Sequence, residues 1–375
     1  MTTGQPWSTW IFPIDSTSRF TLPTELFPLP RSIDEITPGW LSAALADRHT
    51  GVRVASVEPN DVMAGSATKI RLSVNYEEHG LDEWPPRSLV VKSCFDDEVR
   101  ALGETPNATE VLFYSSVAPL LRGVDIPTCL GAATDDTGQS VLLLEDLDTC
   151  EASFGRATDP LGVDTVAEAL EQLARLHARW WNDPAGEPAG LEIGAIGLRA
   201  VMELILGPES WEHALTLPRA QYVPAHLLDR ERIQAAVMAL WEHDAVPPHC
   251  LIHGDTHLGN YFFVDGRPGL LDWQTAQRGH WAHDVAYFVT GALTVEDRRA
   301  HDRRLLGHYL DVLSSEGADP PGADDAWGDF RRHLLHGFTW LVCPTSMQPE
   351  DVCSTNTQRF AAAVDDLEAL PLLEG

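Results

Sequence analysis

The sequence predicts an α+β protein of two lobes, a β-rich N-lobe followed by a mainly helical C-lobe. Three observations predict it. The 375 residues exceed what one lobe of ordinary size organises around a single core. Apolar and polar residues alternate before residue 148, as in Ile70, Leu72 and Val74, the period of a half-buried strand. After Asp148 the apolar residues recur at helical spacing, as in Val166, Leu170, Leu173, Ala174 and His177.

Taken in order, residues 1–33 are rich in Pro, Ser, Thr and aromatics without periodicity, which predicts an irregular arm. The N-lobe is expected over 34–147. Thr37–Asp47 has a short helical pattern with Pro38 suited to its first turn. Strands are expected at Val52–Val57, Lys69–Tyr76, Ser88–Val91 and Val141–Leu144, with a helix at Ala108–Leu121. The C-lobe is expected over 148–375. There Thr165 and Glu168 fit a capping box, in which hydroxyl and carboxylate each satisfy the other's backbone N–H. Pro184–Gly190 reads as a loop. Residues 191–248 and 295–370 read as helical, the latter broken by a loop at Ser314–Asp329.

Composition excludes several classes. With 44% hydrophobic residues, disorder is not a serious reading. The net charge of −30, from 56 acidic against 26 basic residues, repels nucleic acid and anionic membranes. It also permits a cationic substrate. The six cysteines lie far apart without a CxxC pair and are expected as reduced core thiols. No apolar run nears the ~18 residues of a membrane helix, and Met1–Trp10 lacks the pattern of a secretory signal. A soluble, cytoplasmic protein is expected; nothing in the sequence fixes its oligomeric state.

The informative stretch runs from Cys250 to Val264 and contains His253-Gly254-Asp255 and Asn260; Gly269-Leu270-Leu271-Asp272-Trp273 follows. A polar loop between apolar strands, with Asp272 ending the second strand, brings loop and strand end together. Asn260 and Asp272 can then offer oxygens to a hard cation, leaving room for water and phosphate as Mg²⁺ prefers. Asp255 remains to accept a proton from, or orient, an attacking hydroxyl.

His253-Gly254-Asp255 with Asn260, then Asp272-Trp273, resembles the catalytic loop and metal-binding segment of the aminoglycoside phosphotransferase, choline kinase and ecdysteroid-kinase-like superfamily. The resemblance implies a protein-kinase-like fold, ATP and Mg²⁺ as cofactors, and a small-molecule hydroxyl as acceptor. Asp255 would be catalytic, and Asn260 and Asp272 would bind the metal. Lys92, ending an apolar strand, would contact the phosphates, with Glu110 as its orienting partner. Ser66, in Ala64-Gly65-Ser66-Ala67-Thr68, would sit in a phosphate-covering loop that carries one glycine. Glu145 and Leu147 would flank the adenine at a hinge. His253 and Asp284 would brace the catalytic loop. Gly254 stands where protein kinases carry an arginine, and no Ala-Pro-Glu follows Trp273, so control by activation-loop phosphorylation and a protein acceptor are not expected. The acceptor is expected against residues 180–240 and the C-terminal helices.

Two other readings use the same residues. His249, His253, Asp255 and His257 could ligate a metal in a hydrolase, or His253 and Asp255 with His301 or His308 could form an oxygenase triad. Neither employs Asn260, Asp272 or Lys92 with Glu110. A catalytically inactive pseudokinase scaffold is the third alternative.

Overall fold

The structure, a computed structural model, describes residues 29–63, 67–77, 83–96, 106–183, 191 and 205–374. The chain divides into two compact units. One comprises residues 1–120 with 126–152, the other 121–125 with 153–375.

The first unit is built on a five-stranded antiparallel sheet in the order β1-β2-β3-β5-β4. The strands are β1 (Val54–Met63), β2 (Thr68–Tyr76), β3 (Ser88–Ser93), β4 (Cys129–Thr134) and β5 (Ser140–Glu145). In β2 the alternation works as expected: Ile70, Leu72, Val74 and Tyr76 are buried and their neighbours are not. β1 is longer than predicted and carries Pro59 beside a register shift, which an edge strand tolerates. β4 was not anticipated. Its sequence, Cys-Leu-Gly-Ala-Ala-Thr, has small residues where a strand signal needs branched ones. Helix α1 (Pro38–Leu45) is capped by Thr37, whose hydroxyl accepts the Trp40 N–H, and it buries Leu41 and Leu45 against the sheet. Leu29 joins the same core. A second helix, α2, runs through residues 106–112 and widens to a π turn at Phe113–Val117.

The unit ends beyond residue 147 because the turn Leu147–Cys150 stays tied to it: Asp146 caps that turn and the Ala152 N–H donates to the Leu147 carbonyl.

In the second unit, helix α3 spans Val163–Arg179 with Gly162 as its N-cap. The expected capping box is therefore wrong. The extended backbone of Gly162 starts the helix before Thr165, which lies inside it. Helices α4 (Pro208–Ala214) and α5 (Arg230–Asp244) follow; strand β6 (Ser153–Phe154), which precedes α3, joins β8 (Tyr261–Val264) and β9 (Arg267–Leu270) in one antiparallel sheet, and β7 (His249–Ile252) pairs with β10 (Gln277–His280) in another. Every residue of α6 (Trp281–Ala292) is buried, the mark of a core helix. Helices α7 (Val295–Ser315), α8 (Ala323–Phe338) and α9 (Glu350–Asp366) complete the unit. The loop between α7 and α8 covers 316–322, shorter than predicted. Gly317, at φ +95°, ends one helix, and Asp324 and Asp325 favour the start of the next. No helix among the described residues is long and apolar enough to cross a membrane. Of the arm predicted over 1–33, residues 1–28 lie outside the described residues, as does the loop at 184–190.

Candidate active site

The site of the second unit grows from a hairpin. Asp265 (φ 51°) and Gly266 (φ 78°) both take positive φ, as a two-residue primed turn requires, and they fold β9 back on β8. The pairing Tyr261↔Leu270 continues one step further, with the Leu271 N–H donating to the Asn260 carbonyl at 2.8 Å. Asn260, at the end of the polar loop, is thereby fixed beside the segment that leads into Asp272.

The Asn260 amide nitrogen donates to the Asp255 carbonyl (2.8 Å) and to Asp255 Oδ2 (3.2 Å). With its nitrogen so engaged, Oδ1 is the Asn260 atom left to serve a cation. Asp272 adopts a left-handed conformation (φ 59°, ψ 72°), uncommon for a residue with a side chain and best tolerated by Asp and Asn. An amide oxygen and a carboxylate form the hard-oxygen donor set that suits Mg²⁺.

The loop is braced from beneath. Asp284, fully buried on α6, accepts the His253 N–H (2.7 Å) and the Gly254 N–H (2.9 Å), and lies 3.2 Å from His177 Nε2. Burial works to raise its carboxyl, but the His177 hydrogen bond and the surrounding imidazoles more than offset this, holding it below the ordinary carboxylate value. The His253 ring donates through Nε2 to the Leu271 carbonyl (2.7 Å) and accepts the Asp255 N–H at Nδ1 (3.3 Å). Both nitrogens are spent, which removes His253 from the ligand sets of the hydrolase and oxygenase readings. Gly254 takes φ +84°, and a Cβ there would stand 2.5 Å from the Thr275 carbonyl. The bulk of an arginine has no room at this position.

In the first unit, Lys92 Nζ lies 2.6 Å from Glu110 Oε2, and both side chains are buried. They face a small cavity with Ala67, Asn107, Ser140 and Leu142. Ser66 lies outside the described residues. Of the expected hinge pair, the Glu145 N–H donates to the Thr128 carbonyl and its Oε1 accepts the Thr128 N–H. Its amide cannot therefore serve adenine as well. Leu147 opens the turn after β5 and is buried.

The sequence also matches the model of a protein family described as the phosphotransferase enzyme family, over residues 81–324. That stretch is well over half of the chain and includes Lys92, Glu110, Asp255, Asn260, Asp272 and Asp284. The chain belongs to the phosphotransferase enzyme family. No curated protein matches the sequence significantly. Among solved structures, this phosphotransferase is similar to choline kinase LicA from Streptococcus pneumoniae, at 17% identity over 84% of this chain and 94% of that one, with a TM-score of 0.47. It is similar also to macrolide 2'-phosphotransferase MphH from Brachybacterium faecium (17%, 86% and 95%, 0.40) and to an ethanolamine kinase of Plasmodium vivax (12%, 82% and 81%, 0.44). The phosphotransferase has the predicted α+β class of fold, a β-sheet N-terminal region and a helical C-terminal one.

Several residues around Asp255 of the phosphotransferase escaped sequence reasoning. Arg219, fully buried, donates to the carbonyls of Trp340 (2.9 Å) and Cys343 (2.7 Å) and pairs with Glu350 at 2.6 Å. It thus ties the segment 340–343 to the start of α9. The Trp340 ring meets His257 edge to face at 5.7 Å. Tyr287 packs on Trp340 within the same cluster. Burial pushes its hydroxyl well above its ordinary value, and the nearby charge of Asp255 adds to the effect. His257, two residues from Asp255, was named from the sequence, though as a ligand candidate; the Arg219–Glu350 pair joins positions too distant for any local pattern.

A second group of imidazoles tests for another metal. His243, His280 and Asp329, and likewise Asp244, His280 and His333, bring three ligand atoms together among the described residues. His280 is common to both sets. Its Nδ1 accepts the Ala282 N–H as a helix cap, so the ring proton sits on Nε2, which faces Asp329. A metal-bound imidazole has the opposite arrangement. His333 donates to the Asp329 carbonyl (2.7 Å) and to Asp244 (2.8 Å). The cluster is a proton-bearing clasp between α5, β10 and α8.

Proposed function

We propose that this phosphotransferase moves the γ-phosphoryl group of ATP, with Mg²⁺, to a hydroxyl of a small molecule. The observation that carries the reading is the Asp255–Asn260 pair held beside the approach to Asp272 by the β8–β9 hairpin, with Asp284 locking the loop's backbone. Asn260 Oδ1 and the Asp272 carboxylate would hold Mg²⁺, which when bound neutralises phosphate charge. Lys92, aimed by Glu110, would hold the α- and β-phosphates, and Ser66, the Glu145 carbonyl and Leu147 would contact the rest of the nucleotide.

Asp255 accepts the proton of the acceptor hydroxyl as its oxygen bonds to the γ-phosphorus and the bond to ADP breaks. The transition state is loose, so placement and charge neutralisation supply most of the acceleration. His253 and Asp284 keep the loop from moving. Asp255 is partly open, its side chain 37% exposed, and has His257, Tyr287, Trp340 and Cys343 around it. These residues form the wall against which the acceptor rests.

The test is ADP release by purified protein with Mg·ATP against choline, ethanolamine, an aminoglycoside, a macrolide and sugar alcohols, followed by phosphorus NMR of the product. The expected result is acceptor-dependent ADP release that needs Mg²⁺, with one new phosphoester signal. Nucleotide binding with no turnover on any alcohol would instead favour the inactive scaffold.

A further inference from the structure

His257 has a fixed tautomer and a fixed direction. Its Nδ1 accepts the Gly259 N–H at 3.0 Å, which caps the turn Leu258–Asn260 and leaves the ring proton on Nε2. That Nε2 faces Asp255 Oδ2 at 3.6 Å. The ring lies over Gly259, where a Cβ would stand 2.6 Å from Cε1 and 2.9 Å from Nδ1, so only glycine leaves it this seat. Its other side meets the edge of Trp340, whose carbonyl is gripped by the buried Arg219. The imidazole is therefore held by a cap on one side and an aromatic wall on the other.

Asp255 Oδ2 also receives the Asn260 amide at 3.2 Å. Two N–H groups from the same short turn are thus directed at one carboxylate oxygen. The Tyr287 hydroxyl is a further hydrogen-bond neighbour of this carboxylate, and Oδ1 is the oxygen that the two N–H groups do not address.

We propose that His257 is a positioning residue of the phosphoryl transfer: its Nε2–H, together with the Asn260 amide, holds Asp255 Oδ2 so that Oδ1 meets the acceptor hydroxyl. The inference rests on Asp255 being the proton acceptor. A 3.6 Å separation is longer than a hydrogen bond, and contacts of this kind tighten when substrate arrives. Closing it takes less than one ångström of movement at the tip of the Asp255 side chain. The capping role alone accounts for Nδ1 but not for the direction of Nε2, and the two roles separate by substitution.

His257→Asn keeps a side-chain oxygen able to cap the turn but cannot reach Asp255. His257→Gln can place an N–H near the lost Nε2 while capping less well. Turnover is measured on the best acceptor from the alcohol panel, and as Mg·ATP hydrolysis with water as acceptor, alongside nucleotide affinity and Tm. The expected result for His257→Asn is a fall in kcat of about 10–100-fold with nucleotide affinity and Tm unchanged, and partial recovery in His257→Gln. Adding His257→Asn to Asp255→Asn is expected to cost nothing further, since the two act as a unit. Wild-type kcat in His257→Asn would overturn the proposal, and so would a loss of Tm and affinity in step with kcat without recovery in His257→Gln. Asp255→Asn separates the two levels: if it is inactive while His257→Asn turns over normally, only the role of His257 falls. Normal turnover in Asp255→Asn removes the reading on which it rests.

Discussion

Asp272 occupies a backbone conformation that most side chains avoid, at the point where the hairpin delivers it next to Asn260. Strain of this kind costs on the order of 1–3 kcal/mol and persists where the surroundings over-determine it. Here the surroundings are the Leu271 N–H bound to Asn260 and the Leu271 carbonyl bound to His253. These two bonds hold the backbone on the hairpin side of Asp272, and the contribution of its carboxylate is read in nucleotide binding. Asp272→Ala is expected to weaken nucleotide binding by about 10–100-fold in the presence of Mg²⁺ and to change nothing without it, the size of effect produced when a metal's ligand set is disturbed. Calorimetric titration with and without Mg²⁺ checks this; equal affinities in the variant and the wild type under both conditions contradict it.

At the scale of elements, the buried Lys92–Glu110 pair joins β3 to α2. Taking one partner away leaves a charge in a desolvated place, which costs about 3–5 kcal/mol. Glu110→Ala is therefore expected to lower the unfolding free energy by that order. The double change to Met and Leu restores the stability but not nucleotide binding. Denaturant unfolding of the two variants decides it, and a Glu110→Ala protein as stable as the wild type would count against the pair. The loop and strand that carry Asp255, Asn260 and Asp272 were legible because a hairpin is local: its polar loop and apolar strands are adjacent in sequence. The first turn of α1 at Pro38 was legible for the same reason. What escaped depends on distant partners or weak local signal. β4 is a strand because β5 lies beside it, and its small residues say little alone. The start of α3 is set by the backbone of Gly162, which outcompetes the hydroxyl of Thr165. Arg219 holds Trp340 and Glu350 from more than a hundred residues away, and nothing in the run Pro218–Tyr222 announces that.

Over the whole molecule, the balance of buried charge sets an acid limit. His280 is pushed down to about 3, chiefly by burial and then by His333 beside it. A base kept neutral in the fold contributes stability above its unfolded value of about 6.5, and that contribution is lost as pH falls toward the folded one. His336 is lowered in the same way, while His333 is raised by Asp244 and acts in the opposite sense, stabilising below about 6.5 and fading as pH rises through its folded value. Asp244, held at about 2 against the effect of burial by His333, and Asp284, also lowered, stabilise above about 3.9 and cease to do so beneath it. Tm is expected to decline from pH 6.5 to pH 4 and to drop more steeply below. His280→Asn keeps the cap on α6 and removes the titration, so its decline between 6.5 and 4 should be shallower; an unchanged slope contradicts the assignment. His280, His333 and Asp284 are buried, unlike the partly open Asp255 to which the proposed chemistry is assigned. The most direct measurement of the whole account is single-turnover transfer from γ-labelled ATP by Asp255→Asn, with Mg·ATP affinity measured on the same sample. A rate lower by about 10²–10⁴-fold with affinity preserved is the predicted result. Transfer at the wild-type rate would contradict it.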